Sequence, residues 1–233
     1  MRVRKADFLG RLGQYPRALT ILRDEIASAE RRLAQGTIAV VEYGNFFSHI
    51  GWVEAEMGDH DAARDHLEVA LAGVRPAETP PDLAGLLVNG AYCALLAGNE
   101  AELRLGLDLA ERAIRLIHRG ATWLIKLAIA HRIAAELYPA LDNPAAAQAN
   151  SEEALRDLGI GRYEAELFFF THARSLLANG RQTEAENFAR QAYERVFLVA
   201  EQTDDVDLRR SWLGDVRCNR AIIAQRERLN QAA

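Results

Sequence analysis

A short polar loop recurs five times along this chain of 233 residues, and the repeat constrains the fold more than any other feature. Each loop begins with Gly or Asp and has Ala or Leu five residues later. The loops begin at Gly13, Gly58, Gly98, Asp142 and Gly180. Apolar residues at helical spacing precede and follow each loop. The pattern predicts five units of helix, tight turn and helix, spaced 38 to 45 residues apart.

Local chemistry and composition agree with an all-α chain. Alanine and leucine, which are strong helix formers, account for 41 and 30 residues. A loop Gly can adopt the left-handed conformation that ends a helix, and Asp59, Asn99 and Asn143 are suited to capping the next one. Pro144 follows its Asn at the first helical position, where a missing N–H costs nothing. These features predict helix on both sides of every loop.

The units resemble those of the tetratricopeptide repeat (TPR) family. The second unit matches best, through Phe47, Ile50, Gly51, Gly58, Ala63, Leu67, Ala70 and a closing Pro76, and the fifth follows with Phe169, Ala173, Leu176, Gly180, Ala185, Ala189 and Ala192. The third departs from the family at Gly90, and the fourth replaces the loop Gly with Asp142. The resemblance implies a right-handed α-α superhelix, a solenoid of about five helix pairs over residues 1–203.

The segment 204–233 differs from the repeats and is expected to form C-terminal capping helices. It resembles the tail that closes the TPR regions of large bacterial signalling ATPases and transcriptional regulators. The positions that carry this resemblance are Ser211, Trp212, Leu213, Val216, Asn219 and Arg220. Leu208, Trp212, Leu213 and Val216 are expected to cover the open apolar end of the fifth pair, because the last repeat of a solenoid otherwise exposes core surface.

The first unit is shorter than the others, because only twelve residues precede Gly13. Its opening helix would leave an apolar side poorly covered. We therefore expect residues 1–12 either to continue an upstream region or to pack on a partner, and a short native first helix is the alternative. A homodimer formed through this N-terminal helix is a related expectation.

Charge and composition argue against several classes of protein. The net charge of −5 gives no positive field for general nucleic-acid binding or for attraction to an anionic membrane. No stretch reaches the roughly 18 to 20 apolar residues of a membrane span. Cys93 and Cys218 lie far apart, which suggests neither a disulfide framework nor a zinc site. We expect a cytoplasmic protein.

No catalytic or metal-binding motif is apparent. His60 and His66 lie six residues apart, which places them on different faces of a helix. His131 and His172 fall where the repeat buries a side chain, so we expect core histidines with satisfied hydrogen bonds. Cys93 lies in an apolar helix, which indicates an inert buried thiol. The chain is predicted to be no enzyme, with no cofactor and no metal.

In the TPR family, partners dock on the concave side formed by the first helices of the pairs. Counting back from each loop gives the candidate partner-binding residues Asn45, Ser48, Trp52, Asn89, Tyr92, Arg132, Glu136, Phe170 and Arg174. Trp52, Tyr92 and Phe170 are the candidate anchors, with packing between repeats as the alternative role. The family's carboxylate clamp is not reproduced, because His49 and Ile133 occupy two of its positions. Capture of a chaperone C-terminus is therefore disfavoured.

The leading hypothesis is a non-catalytic TPR scaffold that mediates protein–protein interaction in a bacterial regulatory or signalling assembly through its concave face. The alternative is a TPR module that senses a ligand or peptide and changes superhelix pitch on binding. The scaffold predicts an open groove and a protein or peptide partner. The sensor predicts an enclosed pocket and thermal stabilisation by small ligands.

Overall fold

The computed structural model describes residues 2–38, 40–72, 80–118, 124–158 and 164–232, and these ranges are all helix and connecting turns, without a β-strand. The helices are α1 (Arg2–Arg11), α2 (Tyr15–Ala34), α3 (Val40–Met57), α4 (His60–Ala72), α5 (Pro80–Ala97), α6 (Glu100–His118), α7 (Leu124–Leu137), α8 (Pro144–Leu158), α9 (Ala165–Ala178), α10 (Gln182–Glu201), α11 (Val206–Gly214) and α12 (Arg217–Ala232), with a 3-10 turn at Tyr138–Leu141 after α7. The all-α prediction is confirmed. Pro76 lies outside the described residues.

The five loop residues of the sequence pattern all lie between two helices and all have positive φ, from +57° at Asp142 to +87° at Gly58. The three predicted caps are present as well. The side chains of Asp59, Asn99 and Asn143 accept hydrogen bonds of 3.1–3.2 Å from backbone N–H groups three residues later. The turns are therefore fixed by local chemistry, as the sequence indicated.

The helices pack in a regular order. From α3 to α10, each odd-numbered helix packs against the helix that follows it and against the next odd-numbered helix. Small residues permit this close packing. A β-carbon at Gly51 of α3 would lie 2.9 Å from the carbonyl oxygen of Ala63, so only glycine lets α4 approach α3 this closely. The largest apolar cluster joins α5 to α9 and includes Leu87, Leu109 and Ile133.

The two histidines expected in the core are buried and hydrogen-bonded. His131 Nδ1 lies 2.8 Å from Asn150 Oδ1, and His172 Nδ1 lies 2.8 Å from Ser151 Oγ. Burial lowers the pKa of His172, which favours its neutral form. Cys93 is buried too, and burial raises the pKa of its thiol to about 12. Both predictions of buried side chains are confirmed.

The last two helices cover the end of the fifth pair. Trp212 of α11 is buried, and its indole N–H donates a 2.9 Å hydrogen bond to the Val196 carbonyl of α10. Asn219 of α12 donates a 2.9 Å hydrogen bond to the Trp212 carbonyl, which fixes α12 against α11. The predicted apolar residues Leu208, Leu213 and Val216 pack around Trp212. The predicted cover over the fifth pair is therefore present.

The two ends of the chain also meet. Ser211 Oγ donates a 2.5 Å hydrogen bond to the Leu12 carbonyl and accepts a 2.9 Å bond from Gln14 Nε2. Leu12 packs in one cluster with Ala200 and Trp212. Residues almost 200 positions apart are joined, so the helices form a closed arrangement rather than one with two separate ends.

The first helix is covered within the chain by α2 and α3. Ala6 and Leu9 of α1 are buried in a cluster with residues of α2 and α3. Phe8 remains 59 % exposed on the same helix. The apolar side of α1, which we expected to be poorly covered, is thus packed inside the molecule. A homodimer through α1 stays a prediction. No helix in the described ranges is long and apolar enough to cross a membrane.

Candidate functional site

The closed arrangement surrounds a cavity of about 380 Å³, which falls within the size range of small-molecule sites of about 300–1,000 Å³. Its wall is formed by residues from α1, α3, α5, α7 and α9, and by residues of the last three helices. Four of the predicted partner-binding residues line it: Trp52, Asn89, Tyr92 and Arg132. They come from three successive odd-numbered helices, as the counting from the loops predicted.

A chain of polar contacts runs across four odd-numbered helices and α2, and its members Tyr15, Glu56, Tyr92 and Arg132 line one side of the cavity. Glu56 of α3 accepts a 2.5 Å hydrogen bond from the Tyr92 hydroxyl and a 3.3 Å bond from the Tyr15 hydroxyl. The Arg132 guanidinium lies over the Tyr92 ring, 5.5 Å from its centroid, and pairs with Glu136. Thr171 of α9 donates a 2.9 Å bond to the same Glu136. We call this set the polar belt.

The two tyrosines of the polar belt are held in their protonated form. Burial and the charge of Glu56 raise the pKa values of Tyr15 and Tyr92, so both phenols remain donors at neutral pH. Arg132 is only 5 % exposed, and its Nε has no hydrogen-bond partner among the described residues. Because both phenol protons are donated to Glu56, the belt offers a ligand phenolic oxygens as acceptors and a guanidinium with one unused N–H.

Charged side chains surround the other side of the cavity, and we call them the charged rim. His49 Nδ1 lies 2.8 Å from Asp7 Oδ1, and Arg11 pairs with Glu164. Burial alone would raise the pKa of Asp7, but the contact with His49 outweighs it and lowers that pKa. Lys126 of α7 completes the rim.

Between the rim and the belt the wall is aromatic and apolar. Trp52 lies one helical turn after His49 on α3, Ile129 lies one turn after Lys126 on α7, and Leu167 lies near the start of α9. The Arg11 guanidinium lies 5.6 Å from the centroid of the Trp52 ring. A cation over an indole is a favourable contact of about 0.5–2 kcal/mol. The cavity is thus amphipathic, with two polar ends and an apolar centre.

The other five predicted residues do not line this cavity. Ser48 is buried and accepts a 3.1 Å hydrogen bond from Asn89, while its own hydroxyl donates to the Asn45 carbonyl at 2.9 Å. Ser48 thus contacts the lining residue Asn89 from outside the cavity, and Asn45 contacts Ser48. Phe170 is a core residue, because α10 and α12 cover it through Ala192, Val196 and Ile222. The anchor role expected of Phe170 is therefore replaced by packing.

Glu136 and Arg174 line a second cavity of about 280 Å³ between α7 and α9. Their side chains approach to 3.8 Å, and the Arg174 side chain is 57 % exposed. Leu177, which is 54 % exposed, forms part of the same surface. Of these two predicted residues, Arg174 is therefore exposed, whereas the Glu136 side chain is only 14 % exposed.

Several lining residues were missed by the sequence analysis. Asp7 lies six residues before Gly13, so the counting used for the other units would have found it in the first. Arg11 and Trp212 line the same cavity because the two chain ends meet. No local sequence pattern predicts that contact. Lys126 has no counterpart at the counted positions.

Within the described part of the chain, no group of three or more His, Cys, Asp or Glu side chains is arranged to hold a metal ion. No protein-family model matches the chain, and the comparison with curated proteins returned no match. Function must therefore be argued from the geometry and chemistry of the two cavities.

Proposed function

We propose that the chain is a TPR-type helical-repeat protein that binds a small organic molecule or the end of a short peptide in its central cavity. One observation carries this proposal: side chains from both chain ends and from five odd-numbered helices converge on the same cavity of about 380 Å³. The recurrent loops and the order of helix contacts support a superhelix. The role is binding without catalysis, in a cytoplasmic regulatory or signalling assembly of bacterial type.

The wall favours an amphipathic ligand. Trp52 and Ile129 offer apolar area at the centre, whereas the polar belt and the charged rim offer donors and acceptors at the two ends. Pockets of this kind use apolar surface for affinity and a few fixed polar groups for orientation. Lining residues contributed by both chain ends and by five odd-numbered helices favour a compact ligand over an extended protein segment, and therefore the sensor over the scaffold.

A cavity-filling substitution tests the proposal. Ile129→Trp places a larger side chain in the wall, while Leu105→Trp, on the exposed face of α6, makes the same kind of change outside the cavity. Both variants and the parent are screened by thermal unfolding against small organic molecules and short peptides. A ligand present at 100 times its Kd stabilises a protein by about 2.7 kcal/mol.

We expect ligands that raise the Tm of the parent to raise that of Leu105→Trp equally and to leave Ile129→Trp unchanged. Circular dichroism before the screen establishes that both variants are folded. Ligands that stabilise Ile129→Trp as much as the parent bind elsewhere, and that result would overturn the proposal.

A second candidate function is protein binding through the outer cavity between α7 and α9. The exposed Arg174 and Leu177 favour it, because an arginine beside an apolar side chain is a frequent anchor at interfaces. The test is capture of a protein from a bacterial lysate by the parent, compared with Leu177→Asp and with the outer-surface control Leu105→Asp. Loss of one captured protein in Leu177→Asp alone supports this candidate, and equal capture by all three contradicts it.

A further inference from the structure

Lys126 is a lysine in the wall of the cavity of a chain whose basic residues are nearly all arginines. Of the 28 lysine and arginine residues in the chain, only Lys5 and Lys126 are lysines. Lys5 is exposed on α1, whereas Lys126 lines the cavity. A guanidinium stays protonated in proteins, but an amine can lose its proton when it is desolvated and can then act as a nucleophile.

The ammonium group of Lys126 has no hydrogen bond and no ion pair with any described residue. The charged groups around it are already engaged, since Asp7 contacts His49 and Arg11 pairs with Glu164. Burial, assisted by the nearby charge of Arg11, lowers the pKa of Lys126, and Asp7 opposes this only in part. Desolvation and a neighbouring cation are the two conditions that activate a lysine.

The surroundings also provide room for a ligand body. His49 lines the cavity on the same rim, and its Nδ1 lies 2.8 Å from Asp7 Oδ1. One helical turn beyond Lys126, Ile129 begins the apolar centre of the wall. A ligand that reaches the amine would place its apolar part against Ile129 and Trp52.

We propose that Lys126 is a nucleophilic amine that captures an aldehyde or ketone ligand with an apolar or aromatic body as an imine inside the cavity. This inference rests on the proposed function and names the chemistry of the ligand. The neutral amine attacks the carbonyl carbon and forms the C–N bond. The C=O bond then breaks, and the carbonyl oxygen leaves as water after taking up both amine protons. No oxidant or reductant is consumed.

Reductive trapping tests this chemistry, and Lys5 serves as the control within the same molecule. The folded protein is treated at neutral pH with naphthaldehyde and cyanoborohydride, which reduces an imine to a stable amine. Labelling of the two lysines is followed by peptide mass spectrometry. The variants Lys126→Arg, which keeps the charge but forms no imine, and Lys5→Arg are treated in parallel. Naphthalenemethanol, which has the same body without the carbonyl, measures non-covalent binding through tryptophan fluorescence.

We expect Lys126 to be labelled at least about tenfold faster than Lys5, because the cavity holds the naphthalene body beside the amine and desolvation leaves more of that amine neutral. Urea should abolish this preference, and Lys126→Arg should bind naphthalenemethanol without being labelled at position 126. If naphthalenemethanol binds but Lys126 is labelled no faster than Lys5, the amine proposal is overturned while the proposed function stands. If neither compound binds and Lys126 is not labelled preferentially, the result counts against both.

Discussion

Replacing Gly13 with alanine tests whether the two ends of the chain meet as described. Gly13 has φ +79°, a left-handed conformation that costs an L-residue about 1–2 kcal/mol. A β-carbon at this position would lie 2.9 Å from Asp215 Cβ and 2.9 Å from the Ser211 carbonyl oxygen. Neither neighbour can move aside by rotating a side chain. Overpacking of this kind costs about 1–3 kcal/mol in addition.

Gly180→Ala is the matched control. Gly180 has φ +75°, and no heavy atom lies within 4 Å of the position of its β-carbon, so this variant carries the backbone cost alone. We expect the free energy of unfolding of Gly13→Ala to fall about 1–3 kcal/mol further than that of Gly180→Ala. Each kcal/mol corresponds to about 2–4 °C in Tm for a chain of this length.

The assay is urea unfolding followed by the helical circular dichroism signal, with thermal unfolding as a second measurement. The difference between the two variants isolates the contact between Gly13 and α11, because their backbone penalties are nearly the same. Equal losses of stability in Gly13→Ala and Gly180→Ala would refute the end-to-end contact and, with it, the closed wall of the cavity.

Two further predictions concern the polar belt and a core histidine. Tyr92→Phe removes the 2.5 Å hydrogen bond to the Glu56 carboxylate and should lower the free energy of unfolding by about 1.5–3 kcal/mol. Tyr43→Phe removes an exposed 3.4 Å bond to Glu30 and should lower it by less than about 0.5 kcal/mol. Equal losses of the two variants in urea unfolding would contradict the hydrogen bonding of the polar belt. Because burial lowers the pKa of His172 below its usual 6.5, its neutral form stabilises the fold, and this contribution is present above pH 6.5 and is lost as the pH falls toward the folded-state pKa. The Tm of His172→Gln should therefore fall less on acidification than the Tm of the parent. Parallel curves of Tm against pH for variant and parent would exclude a lowered pKa of His172.

Much of the local structure could be predicted from the sequence, because turns and caps depend on a few neighbouring residues. Asp59 and Asn99 cap the helices for which they were proposed. Counting back from the loops also placed Trp52 and Tyr92 on the wall of the cavity, since a helical register is preserved over two or three turns. Here a local pattern was sufficient to identify an inward-facing side chain.

The contacts that complete the cavity could not be predicted in this way. The bond from Ser211 to Leu12 depends on the angles between all intervening helices, which the spacing of the loops does not fix. Phe170 has the inward register of the other candidates, yet α12 covers it, and that contact comes from a helix outside the repeats. Lys126 acquires its character from burial and from Arg11, on a different helix.

Because the wall of the cavity is built from both chain ends, ligand binding and end-to-end contact are linked. A ligand that contacts Arg11 on one end and Trp212 on the other gains both sets of contacts only in the closed arrangement, so it stabilises that arrangement over an open one. A substitution that weakens the end contact lowers the affinity for the ligand to the extent that it reduces the fraction of molecules in the closed arrangement. Gly13→Ala should therefore bind such a ligand more weakly than Gly180→Ala does. The two glycine variants thus separate an effect on closure from a general loss of stability.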